Sequence, residues 1–285
     1  MPSKAGILRF WSDLLRSTTV VLCAIDNLIS VTNQALTGFP EFLEGLTEAN
    51  IPFVPLTGRS RQQLDATLRK FALAHPFIAE GGSGVYLPED YFHLKAPRST
   101  RMGRFTCIPE GSPQPAASEM LDSLGEETGI EVVALRSLSP RELAQNVGLR
   151  QREAELLRQR DFDELFFFAG ATEADVERFR AAAATKGAQI RERGALWSLA
   201  IRANLNACVR DLSQLYQRSL RANPLRIGIA TADEAEEIFP TCDRCLLLMT
   251  RDAGPSTEVA KCKTLPLYSA ETWSQALESI VTRQV

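Results

Sequence analysis

The sequence predicts an α/β protein with a doubly wound, largely parallel sheet interrupted by an inserted α+β unit. Three observations carry this prediction. The run Val20–Ile25 is short, apolar and β-branched, as in a strand buried on both faces, and it ends at Asp26, where the carboxyl edge of a parallel sheet holds its chemistry. Between residues 18 and 87, strand and helix patterns alternate. After about residue 95 the chain turns rich in Pro, Gly, Ser and Arg, and apolar strands resume only in the last hundred residues.

The elements follow in order. Phe39, Phe42, Leu43 and Leu46 recur at helical spacing within residues 38–50. Residues 51–56 form a second buried strand, and Ser60 caps a helix over 61–71. Residues 76–80 form a third strand, and the glycine-rich turn Gly81-Gly82-Ser83-Gly84 leads into Val85-Tyr86-Leu87. Residues 96–115 read as a linker or an irregular crossing. Beyond it, Ser139-Pro140-Arg141-Glu142 is a capping box, 165–168 a strand, and Thr172 the cap of a helix reaching Ala184. Two short strands surround Gly194, an amphipathic helix covers 205–220, 225–230 and 246–249 are buried strands, and 272–281 is a closing helix. The predicted layout is a helical extension over 1–17, a core over 18–95 and 187–285, and an inserted domain over 96–186.

Composition narrows the classes of function. The 285 residues are 45% hydrophobic and 24% charged, with a net charge of −3, which supplies no field for nucleic acid or an anionic membrane. No apolar run approaches the roughly 18–20 residues that span a bilayer. Residues 1–16 are amphipathic and lack a secretory signal's apolar core and cleavage site, so a cytoplasmic location is expected. That segment reads as a helix packed on the core, with membrane or partner docking as the other reading. Of six cysteines, Cys23 and Cys208 lie in apolar stretches and read as buried thiols. Cys242-x-x-Cys245 has zinc or redox spacing, but no second pair or histidine follows, so the simpler reading is a turn before a strand.

Specific stretches sharpen the picture. The strand-and-loop segment around Asp26, the inserted domain, and Pro76-Phe77-Ile78-Ala79-Glu80-Gly81-Gly82-Ser83-Gly84-Val85-Tyr86-Leu87-Pro88 together resemble haloacid-dehalogenase (HAD) superfamily phosphatases. The last stretch is similar to the Pro-Phe-Ile-x-Glu-Asn-Gly-Gly-x-Tyr-x-Pro segment of mannosyl-3-phosphoglycerate phosphatases. Leu138–Glu142, Gly148-Leu149 and Arg158–Glu164 resemble the same family's cap. The resemblance covers most of residues 18–240 and implies a HAD-like doubly wound Rossmannoid core with an α+β cap domain. It also implies a phosphoric monoester hydrolase in which one aspartate attacks phosphorus and a second carboxylate serves as acid and base. Magnesium bridges the acidic residues there, and a hydroxyl and a lysine hold the phosphate.

The sequence departs from that pattern where the chemistry lies. The nucleophile's position is Ala24, although Asp26 matches the acid/base. Thr57 of Thr57-Gly58-Arg59 matches the phosphate-binding hydroxyl. The lysine corresponds to Asn204, and the two metal-binding aspartates to Thr231 and Ala235, with Asp233 and Glu234 beside them. Losing the nucleophile alone is expected to cost on the order of 10⁴-fold in rate. The expected protein is therefore a catalytically inactive pseudophosphatase that binds a phosphorylated sugar or glycerate, or a protein partner. No cofactor is expected, and magnesium only if activity remains. The alternative is a magnesium-dependent sugar-phosphate phosphatase, or another enzyme, with a site rebuilt around Asp26.

At each position a functional and a structural reading stand side by side. Asp26 is either an acid/base or a cap accepting N–H bonds in the loop after its strand. Thr57, Gly58 and Arg59 form an anion site or an ordinary strand–helix turn. Asp233, Glu234, Glu236 and Glu237 form an altered metal site with Asp26 or simply an acidic first turn. Arg158 and Arg160 hold a substrate carboxylate or pair with Asp161, Asp163 and Glu164.

Overall fold

The computed structural model describes residues 19–249, 262–266 and 271–282. The expected N-terminal helix over 1–17 lies outside them. The large sheet is built on β1 (Thr19–Ala24), whose six residues are all buried. Val21 and Cys23 face one layer, and Val20, Leu22 and Ala24 the other. A strand walled by helices on both sides has no polar face to show, which is why it reads as an unbroken apolar run.

From β1 the chain passes through α1 (Phe39–Glu48), β2 (Phe53–Leu56), α2 (Arg61–Lys70), β3 (Phe77–Ala79) and β4 (Gly84–Pro88). Ser60 caps α2 through a complete capping box with Gln63. Phe39, Phe42 and Leu46 of α1 pack on Phe53, Ile227 and Ile229 in the first apolar layer.

Residues 96–115 are not a linker. They hold β5 (Thr100–Met102) and β6 (Phe105–Pro109), which extend the large sheet through antiparallel pairing of Tyr86 with Cys107 and of Thr100 with Cys107. Gly103 turns this hairpin at φ 63°, and the exposed Thr100 and Arg101 mark a solvated edge strand. The same turn and charge residues that suggest a linker suit a sheet edge.

The inserted unit begins with α3 (Gln114–Thr128) and continues through β7 (Val132–Ala134), α4 (Pro140–Val147), α5 (Gln151–Leu157), β8 (Glu164–Phe168) and α6 (Glu173–Thr185). It does not end at residue 186. β9 (Ala188–Arg193) and β10 (Leu196–Ile201) complete its four-stranded antiparallel sheet, in the order β7-β8-β10-β9. Their alternating pattern belongs to a half-exposed antiparallel sheet rather than to the buried parallel one. α3 and α6 cover one face through Leu121, Leu124, Phe166, Phe179 and Leu199.

The chain returns with α7 (Leu205–Leu220), β11 (Leu225–Thr231), α8 (Ala232–Ile238), β12 (Arg244–Met249), β13 (Cys262–Pro266) and α9 (Thr272–Val281). The nine strands run in the order β13-β12-β11-β1-β2-β3-β4-β6-β5, parallel from β13 to β3. β1 lies between β2 and β11, so the chain changes direction across the sheet at its end, where ligands of such folds bind. Cys23 and Cys208 are buried thiols, as expected. Cys245 lies within β12 opposite Cys262, and burial pushes the Cys242 thiol up to about 11. No helix of the described residues is long and apolar enough to cross a membrane.

Candidate functional site

The carboxyl ends of β1, β2 and β11 bring together the residues singled out in the sequence. Ala24 is the last residue of β1, 3% exposed, with its methyl group packed among Leu22, Leu56 and Ala230. Two residues on, Asp26 turns toward the loop after β2. It accepts from the Thr57 hydroxyl and, at 2.7 Å, from the Gly58 N–H, and it pairs with Arg59 Nε at 3.3 Å. Asp26 thus caps the loop after the neighbouring strand, rather than its own. The donors expected to receive a phosphate already hold an anion, and it is the chain's own.

Arg59 is buried, and its guanidinium also donates to the Ile29 carbonyl. Burial lowers the Arg59 pKa, and the neighbouring Asp26 opposes that shift. Asn204 has no part in this group. Its side-chain oxygen accepts from the Ala207 N–H at 2.9 Å and so caps α7, as asparagine readily does.

At the end of β11, Thr231 is joined to the first loop by Asn27, whose amide donates to Thr231 Oγ at 2.8 Å and to Asp233 Oδ2 at 3.0 Å. Thr231 Oγ also lies 2.6 Å from Asp233 Oδ1 and 3.0 Å from Glu234 Oε2. One hydroxyl proton serves only one of these carboxylates. The other contact is satisfied while Glu234 is protonated, and its pKa is pushed up to about 7, first by burial and then by Asp26. A carboxyl group with a raised folded-state pKa stabilises most at low pH and loses that contribution as pH rises through about 7. Stability is expected to fall by about 1–2 kcal/mol between pH 5 and 8, after allowance for partial exposure. Urea titrations at the two pH values measure it. Glu234→Gln should flatten this part of the profile, and Asp26→Asn should move it to lower pH.

Arg160 reaches back from the inserted unit, with its side chain 3% exposed. It donates to Gly58 O at 2.7 Å, Gln63 Oε1 at 2.8 Å and Asp163 Oδ2 at 2.6 Å. Asp163 is the partner anticipated for it, and four of the five N–H donors of Arg160 are committed to these three groups. Arg158 is exposed and donates to the Arg136 carbonyl at 3.1 Å. Asp161 pairs instead with Arg61 at 3.0 Å and accepts from the Tyr86 hydroxyl at 2.7 Å.

Above these loops lies a cleft of about 780 Å³ between the large sheet and the inserted unit. Asp26, Gly58, Arg59, Asp233 and Glu234 line one side, and Arg191, Arg193, Leu165 and Leu196 the other. A smaller recess beneath it is bordered by Ala24, Asp26, Thr57, Arg193 and Leu205. Sequence reasoning overlooked Asn27, Arg191 and Arg193. The signal for the arginines was present: strand alternation in β9 places both opposite the buried Ile190.

The residues present do not fit the magnesium ion that the resemblance implies. Among the described residues no group of three or more His, Cys, Asp or Glu side chains converges as a metal site. Asp26 already spends both oxygens on Thr57, Gly58 and Arg59, so its charge is committed to the chain's own donors rather than to a hard dication.

No protein-family model matches the sequence. The chain is 25% identical over 179 residues to a glucosyl-3-phosphoglycerate/mannosyl-3-phosphoglycerate phosphatase of Methanococcoides burtonii, covering 62% of this chain and 64% of that one. It is 21% identical over 188 residues to the protein of the same name from Persephonella marina, covering 66% and 68%. The match to the first therefore spans less than two thirds of that relative's length. Among solved structures, the HAD-superfamily phosphatase BT1666 of Bacteroides thetaiotaomicron superposes with a TM-score of 0.61 at 15% identity, over 93% of this chain and 96% of that one. The HAD subclass IIB sugar phosphatase BT4131 superposes with a TM-score of 0.60 at 11% identity, over 91% and 98%.

Proposed function

From a chain that has the HAD fold and resembles the superfamily's mannosyl-3-phosphoglycerate phosphatases, we propose a protein that binds a phosphorylated sugar or glycerate in the cleft without hydrolysing it. One observation carries this reading. Thr57, Gly58 and Arg59 are committed to Asp26, while the nucleophile's place holds the methyl group of Ala24. Covalent phosphoryl transfer needs a nucleophile aligned with the phosphorus and donors aimed at its oxygens, and here neither is free. Binding needs less. A cleft with guanidinium groups on one wall and carboxylates on the other suits a ligand carrying both a phosphate and hydroxyls.

The enzymatic alternative rests on Glu234, whose pKa is pushed up to about 7 by burial and by the neighbouring Asp26, within the range of a general acid or base. An acid/base group without a nucleophile or an aligned phosphate does not complete a phosphatase.

The test is turnover of mannosyl-3-phosphoglycerate and a panel of sugar phosphates with Mg²⁺, alongside thermal-shift binding of the same compounds. The expected result is turnover at background and a raised melting temperature with at least one phosphorylated compound. Turnover lost in Asp26→Asn would establish the rebuilt enzyme instead. Silence in both assays would defeat the ligand reading and direct the search to a protein partner in the cytoplasm.

A further inference from the structure

Two arginines of the inserted unit face the core loops from across the cleft. Strand period places Arg191 and Arg193 of β9 on one face, and both reach the loops after β2 and β3. Each rests where a glycine leaves room. An ideal Cβ on Gly58 would lie 2.7 Å from Arg193 Nε. On Gly81 it would lie 2.6 Å from Arg191 Nη1 and 2.7 Å from Arg193 Nη2. Gly81 stands where the similar family segment has asparagine, so this departure clears space for the guanidinium groups.

The two arginines differ in their partners. Arg191 donates to Gly81 O at 2.8 Å and Gln189 Oε1 at 3.0 Å, and pairs with Glu237 at 3.2 Å. Arg193 has a buried Nε with no hydrogen-bond partner among the described residues. A buried donor on a cation is unfavourable until an anion completes it. The core loop does not provide that anion, because Asp26 is held by Thr57, Gly58 and Arg59.

We infer that Arg193, with Arg191 bracing the same loops, receives the phosphate group of the ligand, in place of the lysine missing at Asn204. This rests on the binding reading above. The planar fork of arginine matches two oxygens of a phosphate monoester, whereas lysine offers a point charge. Across the cleft, Asp233, Glu234 and Glu237 face the body of the ligand, and carboxylates accept from hydroxyls. The ligand class is a small phosphate monoester of a polyhydroxy compound, held by its phosphate on the inserted unit rather than on the core.

Calorimetric titration of the full chain with 3-phosphoglycerate tests this, with glycerate as the arm lacking phosphate. Wild type is expected to bind 3-phosphoglycerate at least tenfold more tightly than glycerate. Arg193→Gln should weaken binding at least tenfold, whereas Thr57→Val on the core loop should change it less than threefold. Arg193→Lys, which keeps the charge and loses the fork, should fall between and serves if Arg193→Gln does not fold. Because Nε has no partner, the ligand-free melting temperature of Arg193→Gln should not fall.

Unchanged affinity in Arg193→Gln with loss in Thr57→Val would put the phosphate on the core loop, overturning this inference while leaving the binding reading intact. Equal affinity for glycerate would overturn the assignment to phosphate. If no phosphorylated compound of the wider panel binds wild type, both readings fall together.

Discussion

Replacing Glu80 with alanine is expected to destabilise the protein by about 3–5 kcal/mol, among the largest effects of any single substitution outside the apolar layers. Glu80 is 1% exposed and follows β3 in a left-handed conformation, φ 50°. Its carboxylate accepts from the N–H groups of Asp161, Phe162 and Asp163 at 3.0, 2.8 and 2.9 Å. Arg160 stands 4.0 Å away, itself bound to Asp163 and Gly58. Alanine would leave three N–H groups without acceptors and a buried cation with one anion fewer. Burial and Asp163 push the Glu80 carboxyl group up, and Arg160 and the N–H donors pull it back. The group ties the large sheet to the segment entering β8, beside the Tyr86–Asp161 and Arg160–Gly58 contacts. Urea denaturation gives the stability change, and hydrogen exchange at residues 161–163 locates it. Glu80→Gln keeps an acceptor and should lose about half as much. A loss below about 1 kcal/mol for alanine would show that water replaces the carboxylate and that the tie is dispensable.

Trp273→Ala is expected to cost about 3–5 kcal/mol, while Trp273→Phe should cost less than about 1.5 kcal/mol. Trp273 opens α9, is 2% exposed, and lies 4.7 Å from the ring centre of Phe39 and 5.2 Å from that of Phe42. Gly38, at φ 83°, brings its backbone under the indole, where an ideal Cβ would lie 3.0 Å from Trp273 Cδ1. Alanine would empty a cavity that this aromatic layer is too constrained to close. Phenylalanine keeps most of the ring and removes an indole N–H that is buried without a partner among the described residues, a gain that offsets lost contact area. Thermal and urea unfolding of the two variants separate packing from the N–H. Equal losses would show that the indole's extra ring, rather than its bulk, is what Phe39 and Phe42 recognise.

Much of this architecture was legible locally. Burial on both faces made β1 a continuous apolar run, the Ser60 and Ser139 capping boxes marked helix starts, and 205–220 and 272–281 appear as helices with those bounds. The inserted unit's limits were not legible. β5 and β6 carry the turn and charge residues of a linker because they form a solvated edge, and β9 and β10 resemble core strands until their partners are known. Departures from the resembled motifs could be read at Ala24, Asn204 and Thr231, because residue identity at a matched position needs no tertiary information.

By itself, the sequence determined the doubly wound core, the presence of an insertion, and which residue types stand at the positions that match the resembled family's motifs. These depend on residue type and on periodicity over a few turns. The tertiary structure decided that Asp26 fills the anion position of the Thr57-Gly58-Arg59 loop, that Arg160 serves Asp163 and Gly58, and that Arg193 enters the cleft over Gly58. The physical reason is that a charged side chain's role depends on which opposite charge packing brings within a few ångströms. For Arg160 that partner backbone is 102 residues away in the chain, and no local pattern encodes it.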